Sequence, residues 1–283
     1  MLNNLPPIFC LTDSLEKREY MKNQFDFYNI SNYKFIEKKY KIENFEEWKN
    51  DIEDEKIYTT EYELSKSLNL IKTIVDWYDG NDSETCIIME DNVDLSTSQN
   101  WIFDWDYLIN NLPYNWDCIK FYHSRLRSVK MHLHPFEIEK SKKSLDYYNT
   151  SSNCFMITRY FAKKVKYYHT KGSKFLLHYN NRNKRIKEVQ YGSTSEFLFD
   201  IGLTYVLPIF SLNTEYIPND NEHLVNKLAS QSISYWWKQR SKLYTKFQIF
   251  NYNKDNEWRM EAMYDIRTTE VYRDENEKLM IWI

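Results

Sequence analysis

Glycine is scarce in this chain: only 4 of 283 residues. That excludes a glycine-rich phosphate cradle, and neither G-x-G-x-x-G nor a Walker loop occurs. Any bound phosphate must instead be held by metal, side chains or helix ends. Cysteine is sparse too. Cys10, Cys86, Cys118 and Cys154 form no CxxC pair and no framework spacing, and each sits in an apolar, strand-like segment. They read as buried thiols, which favours a reducing compartment and a cytoplasmic location. The segment Met1 to Pro7 has neither a basic region nor a long apolar core, so no signal peptide is expected. No apolar run reaches the length of a transmembrane helix. Nor is there an excess of positive charge: 38 Lys and Arg stand against 41 Asp and Glu. A global electrostatic case for nucleic acid is therefore missing.

Apolar residues make up 42% and aromatics 17%, including 24 Tyr and 16 Phe. That is enough for a sizeable core. The most informative stretch runs from Thr85 to Asp94. Cys86–Met89 is a short buried-strand signal, and Glu90, Asp91, Asn92 and Asp94 follow at once. Carboxylates crowded at a strand end repel one another unless something cationic sits among them. Hard oxygen ligands at this spacing suit Mg²⁺ or Mn²⁺ bound together with a substrate phosphate. Asp91 is the first candidate ligand, with Asn92 beside it and Asp94 in reserve. Strand alternation would point Glu90 and Asn92 away from Asp91, so the group can act together only if the strand ends near residue 90. Asp-Asn-x-Asp is also ordinary turn and helix-cap chemistry, and Asp94 suits a cap ahead of residues 95–100.

The spacing predicts a strand at Pro7–Leu11. A helix follows, capped by Asp13 or Ser14, with Leu15, Met21, Phe25 and Tyr28 on one face. A second strand is expected at Tyr33–Lys39. Thr60 and Glu63 have capping-box spacing ahead of a helix carrying Leu64, Leu68, Ile71, Val75 and Tyr78. Further expectations are a helix over Trp101–Leu112 and strands at Asp117–Tyr122 and Asn153–Thr158. After the last of these comes a helix with Phe161, Val165 and Tyr168 aligned, then an ordered stretch over Glu196–Phe210. Strands alternating with helices predict an α/β domain with a mostly parallel central sheet flanked by helices. That domain is expected over residues 1–220, with an aromatic, charged C-terminal extension at 221–283 packed on it.

The ordered series of motifs resembles glycosyltransferase family 25, the lipopolysaccharide and collagen galactosyltransferase group. It runs through Phe9-Cys10-Leu11-Thr12-Asp13 with Arg18 and Met21, then Glu63–Leu68, then Ile87–Val93. Trp116–Lys120, Asn153–Thr158 with Ala162, and Glu196–Phe210 complete it. The match spans roughly residues 7–215. Three departures stand out, one being that residues beyond about 235 have no counterpart. Asn92 replaces the family's second Asp, and Asn69-Leu70 stands where the family has Ser-His.

The resemblance implies a GT-A fold and transfer of a hexose, galactose or glucose, from a nucleotide diphosphate sugar. UDP-hexose is the implied donor, a glycan or glycoprotein hydroxyl the acceptor, and inversion the stereochemistry. It also implies that Thr12, Asp13, Arg18 and Glu90 serve the nucleotide. Asp91, Asn92 and Asp94 would serve Mn²⁺ or Mg²⁺, and Glu196, with Asp200 one helical turn on, would supply the base.

Ordinary capping, a solvated arginine and a surface acidic pair are the plainer readings of those residues. His132-Leu133-His134 has no third ligand and reads as surface loop rather than zinc site. The basic-aromatic run Tyr235–Phe247 suits packing with snorkelling lysines, and leaves peripheral membrane contact open. Two other function classes stay in view. One is a degenerate transferase fold kept for binding. The other, ranked last, is nucleic-acid binding through the locally basic segments 123–147, 163–187 and 235–247.

Overall fold

The computed structural model describes residues 1–53, 60–112, 115–124, 139–140, 151–177, 198–199, 201–217, 223–243, 245–246, 271–273 and 279–281. Among them, β1 (Ile8–Thr12), α1 (Leu15–Phe27) and β2 (Tyr33–Glu37) open the chain. The short α2 (Phe45–Trp48), the long α3 (Glu61–Gly80), β3 (Thr85–Glu90) and β4 (Val93–Asp94) follow. Then come α4 (Trp105–Asn110), β5 (Cys118–Lys120), β6 (Glu139–Lys140), β7 (Cys154–Thr158) and α5 (Arg159–His169). A two-residue hairpin, β8 (Thr170–Lys171) with β9 (Lys174–Phe175), leads toward β10 (Thr204–Val206), β11 (Ser211–Leu212) and α6 (Leu224–Tyr235).

Seven strands form the central sheet in the order β2-β1-β3-β7-β5-β10-β6. β2, β1, β3, β5 and β10 all run one way, and β7 is inserted between β3 and β5 in the opposite sense. The sheet is therefore mixed, and the expected parallel continuity is broken at its centre. Alternation along each strand feeds two cores. Ile8, Cys10, Ile87, Met89, Ile119, Cys154 and Met156 face the core built with α1, α4 and α6. Leu11, Cys86, Ile88, Cys118, Phe155 and Ile157 face the core under α3 and α5. All four cysteines are buried and free, as their apolar neighbours require.

Helix starts follow local chemistry, with some corrections to the expected boundaries. Ser14, not Asp13, caps α1 by accepting from the Lys17 N–H at 3.4 Å. On that helix Met21 and Phe25 are buried while Leu15 is 84% exposed, so the apolar face is narrower than its sequence suggests. Thr60 Oγ1 accepts from the Glu63 N–H at 3.2 Å, as the capping box requires. The expected helix over Trp101–Leu112 shortens to Trp105–Asn110, capped by Asp104. Trp101 and Phe103 instead stack with ring centroids 5.3 Å apart and turn into the core. On α5, Ala162 and His169 are buried beside Phe161 and Val165, while Tyr168 is exposed.

The end of α3 is held from outside its own sequence. Arg159, the first residue of α5, donates to the carbonyls of Tyr78, at 2.9 Å, and Asn81, and its guanidinium lies 4.8 Å over the Tyr78 ring. These bonds satisfy carbonyls that a helix end leaves orphaned. Arg159→Ala is expected to cost about 2 kcal/mol, since bonds from charged donors are among the stronger ones. By calorimetry that is a fall in Tm of about 4–8 °C. Exposed Lys163→Ala should leave Tm within about 2 °C.

Candidate functional site at the carboxyl edge of the sheet

The parallel strands deliver their carboxyl ends to one edge, where α/β folds generally bind ligands. β1 ends at Thr12, β2 at Glu37 and β3 at Glu90. Because β3 stops there and Asp91-Asn92 form a turn, the acidic residues escape strict alternation. Asp91 is 2% and Glu90 7% exposed, so both carboxylates are buried.

The cation among them is a lysine of the chain itself. Lys38, one residue past β2, places Nζ 2.7 Å from Glu90 Oε2 and 3.7 Å from Asp13 Oδ2. Its backbone N–H donates to the Thr12 carbonyl at 3.2 Å, extending the β1–β2 pairing by one step. Burial works against the charged ammonium, but Glu90, Asp13 and Asp91 outweigh it and hold the Lys38 pKa above the ordinary lysine range. Asp91 has the weaker support. Burial pushes its carboxyl above the usual aspartate range, and Lys38, Lys17 and the Thr12 hydroxyl only partly counter this. Lys17 Nζ is 3.9 Å from Asp91 Oδ1.

Asp91 Oδ2 and Asn92 Oδ1 are buried acceptors with no hydrogen-bond partner. Mg²⁺ and Mn²⁺ take oxygen donors, and are often held by one or two carboxylates while phosphate oxygens and water complete the shell. These two atoms fit such an ion in donor type. Asp94 does not share that freedom. Its carboxylate accepts from the Ser96 N–H at 2.8 Å and the Ser96 hydroxyl at 2.9 Å, with Ser211 Oγ at 3.3 Å. It is the last residue of β4, paired with Ser211 of β11, and its side chain holds the backbone entering the 3₁₀ segment Ser96–Asn100. Among the described residues, no three His, Cys, Asp or Glu side chains gather as a metal site.

Beside this cluster lies a cleft of about 240 Å³ between the loop after β2 and the first turns of α3. Lys38, Lys41, Lys66, Tyr40, Tyr62 and Glu90 are among its lining residues. Asn69 shapes its wall. Asn69 Oδ1 accepts from the Tyr40 N–H at 3.1 Å, and Nδ2 donates to the Tyr40 carbonyl at 3.0 Å. The amide thus pairs with Tyr40 as a neighbouring strand would, and Ser65 Oγ donates to the same carbonyl. Burial holds the Tyr40 phenol up at about 12, so it stays protonated at neutral pH.

The expected site residues divide accordingly. Thr12, Asp13, Glu90, Asp91 and Asn92 come together at this edge. Arg18 is exposed and stacks 4.9 Å over Phe35 instead. Glu196, Asp200 and the His132/His134 pair lie outside the described residues. Lys17, Lys38, Lys41, Lys66 and Tyr40 were not read from sequence. The usable signal was Lys38-Lys39 at the end of a strand adjoining two acidic strand ends.

No protein-family model matches the chain, and no curated protein matches it. A solved structure described as "Crystal Structure of A197 from STIV" aligns over 73% of this chain and 84% of that one, at 10% identity and a TM-score of 0.30. A likeness of that size supports no functional argument. Among the described residues, no helix is long and apolar enough to cross a membrane.

Proposed function

We propose that the chain is a GT-A-like glycosyltransferase that binds a nucleotide diphosphate sugar at this edge and passes the hexose, galactose or glucose, to a hydroxyl of a glycan or glycoprotein. One observation carries the reading. Glu90 lines a cleft that holds three lysines, and the next two residues of the chain carry buried oxygens, Asp91 Oδ2 and Asn92 Oδ1, that have no hydrogen-bond partner. The order of sequence motifs supports it as well.

Lys41 and Lys66 offer charge to the leaving diphosphate, whose negative charge grows as the glycosidic bond breaks. Lys38 is committed to Glu90 and sets the local charge balance. Asp91 and Asn92 would hold Mg²⁺ or Mn²⁺. When bound, that ion supplies Lewis-acid stabilisation of the same phosphate oxygens. Tyr62, which is exposed, gives the cleft aromatic surface for a nucleobase. Glu196, with Asp200 as the second candidate, is assigned from the motif series as the base that takes the acceptor proton in an inverting displacement.

The test is release of nucleotide from UDP-galactose, UDP-glucose, GDP-mannose and CMP-sialic acid with Mn²⁺ present. Turnover of one donor class is expected, falling about 100-fold or more in Asp91→Ala. Turnover undiminished by EDTA would remove Asp91 from its role, and no turnover of any donor would remove the enzyme reading. In that case a binding module on the same fold becomes the better account, favoured by Lys38 already neutralising Glu90.

A further inference from the structure

A third buried polar atom without a partner lies close by in the fold. Ser152 is 1% exposed and its Oγ makes no hydrogen bond. Such a group costs free energy where it sits, and needs a reason.

Its place follows from the sheet register. The β3–β7 ladder runs to Met89 opposite Cys154, and the Glu90 N–H donates to the Asn153 carbonyl at 2.8 Å. The β5–β7 ladder runs to Lys120 opposite Phe155, and the Phe121 N–H donates to the Cys154 carbonyl at 2.8 Å. Continued by count one step past the Glu90–Asn153 bond, the first ladder puts Ser152 at the register position of Asp91, and the second, continued past Phe121, puts it at that of His123. The antiparallel insertion of β7 thus brings its amino end to the edge where β3 and β5 end. His123, Ser124 and Ser151 are all buried there too. Ser151 Oγ donates to Asn153 Oδ1 at 3.0 Å and accepts from the Asn153 N–H at 3.3 Å, which fixes the backbone on both sides of Ser152.

The edge therefore divides into two parts of different chemistry. The cleft beside β1 and β2 sets Lys38, Lys41 and Lys66 against Asp13, Glu43 and Glu90, with Tyr62 at its wall, and Lys41 and Lys66 are the groups there that can meet a nucleotide's phosphates. The part formed by β3, β7 and β5 is buried and built of hydroxyl, carboxylate and imidazole groups. A serine hydroxyl both donates and accepts, while an ionised carboxylate only accepts. A ligand hydroxyl, which also donates and accepts, can pair with the serine and still donate to a carboxylate oxygen.

We infer that Ser152, next to Asp91, forms the subsite for the hydroxyls of the donor's hexosyl group, separate from the cleft that takes the nucleotide. This rests on the proposed donor site. It goes beyond that proposal by assigning the sugar to the amino end of β7.

Isothermal titration of wild type and Ser152→Ala with UDP, UDP-galactose and UDP-glucose, and with GDP and GDP-mannose, tests it. In wild type, one nucleotide sugar is expected to bind more tightly than its parent diphosphate. In Ser152→Ala, affinity for the diphosphate stays the same, while that extra affinity falls about 5–10-fold, the size of one hydrogen bond. The Tm of the variant should be no lower than that of wild type, which separates this outcome from misfolding. If the diphosphate binds but Ser152→Ala leaves the sugar's contribution unchanged, the subsite is overturned while the donor cleft stands. An equal loss for sugar and bare diphosphate places Ser152 in the phosphate site and also overturns it. If neither diphosphate nor sugar binds to wild type, the donor site itself fails, and the subsite with it.

Discussion

Lys38→Met is expected to lower stability by about 3 kcal/mol. The lysine sits 2.7 Å from a carboxylate whose residue is 7% exposed, and methionine nearly matches its length and volume. The substitution therefore removes charge more than packing. Glu90 would then be buried without its partner, beside a second buried acid. Breaking such a pair from one side typically costs about 3–5 kcal/mol. The lower end applies here because the Lys38 side chain is 21% exposed, so solvent screens part of the interaction.

The pH dependence has a definite sign. The folded-state pKa of Lys38 is raised, so its contribution is fully present below the ordinary lysine range and is lost only as pH climbs through the raised value. In wild type it is therefore constant across acid and neutral pH. In the variant, Asp91 loses the larger of the two lysine influences that hold its pKa down, so it takes up a proton at higher pH than before. The deficit should shrink as pH falls from 7 toward the carboxylate range. Urea denaturation at several pH values measures this. Lys38→Met combined with Glu90→Gln should recover most of the loss, a coupling read directly from the double-mutant cycle. An equal deficit at every pH, with no recovery in the double variant, would mean that Lys38 acts by packing alone.

Trp237→Ala is expected to cost about 4 kcal/mol, within the range for truncating a buried Trp. The residue is fully buried. Its indole N–H donates to the Pro208 carbonyl at 3.2 Å, and its ring lies 4.9 Å from Trp236, 5.8 Å from Phe103 and 6.0 Å from Trp101. The substitution removes one of three tryptophans packed together there and leaves a buried carbonyl without its donor. For a chain of this size Tm should fall by about 10 °C. Leu243→Ala, 71% exposed, should change stability by less than about 0.5 kcal/mol. The contrast matters because Trp236 and Trp237 share one core with residues of β1, α1 and β3. A mild Trp237→Ala would mean that the segment after residue 223 packs only loosely on that core.

These two residues mark where sequence reading succeeded and where it stopped. The acidic strand end was legible because apolar residues stop abruptly at Met89 and carboxylates begin. The cap at Thr60 was legible because its signal is local. The need for a cation at Glu90 was legible too, but its identity was not. Lys38 reaches Glu90 only because β2 and β3 flank β1 in parallel register; Lys38-Lys39 at a strand end marks a cation there but not which acidic end it meets. Ser152 is hidden for a related reason. β7 runs against its neighbours, which brings its first residues rather than its last to the functional edge, and no composition signal encodes strand direction. Trp101 was placed on a helix because its periodicity continues into α4. A stacked aromatic core overrode that local preference.

The most direct measurement is a thermal-shift panel of UDP, GDP and CMP with their sugars, each with and without Mn²⁺, on wild type and Asp91→Ala. One nucleotide class should raise the Tm of wild type by several degrees at saturation, since ligand at about 100 times its Kd adds about 2.7 kcal/mol. The shift should need Mn²⁺ and vanish in Asp91→Ala. If no nucleotide moves the Tm of wild type, with or without the metal, the carboxyl edge of this sheet is not a nucleotide-sugar site.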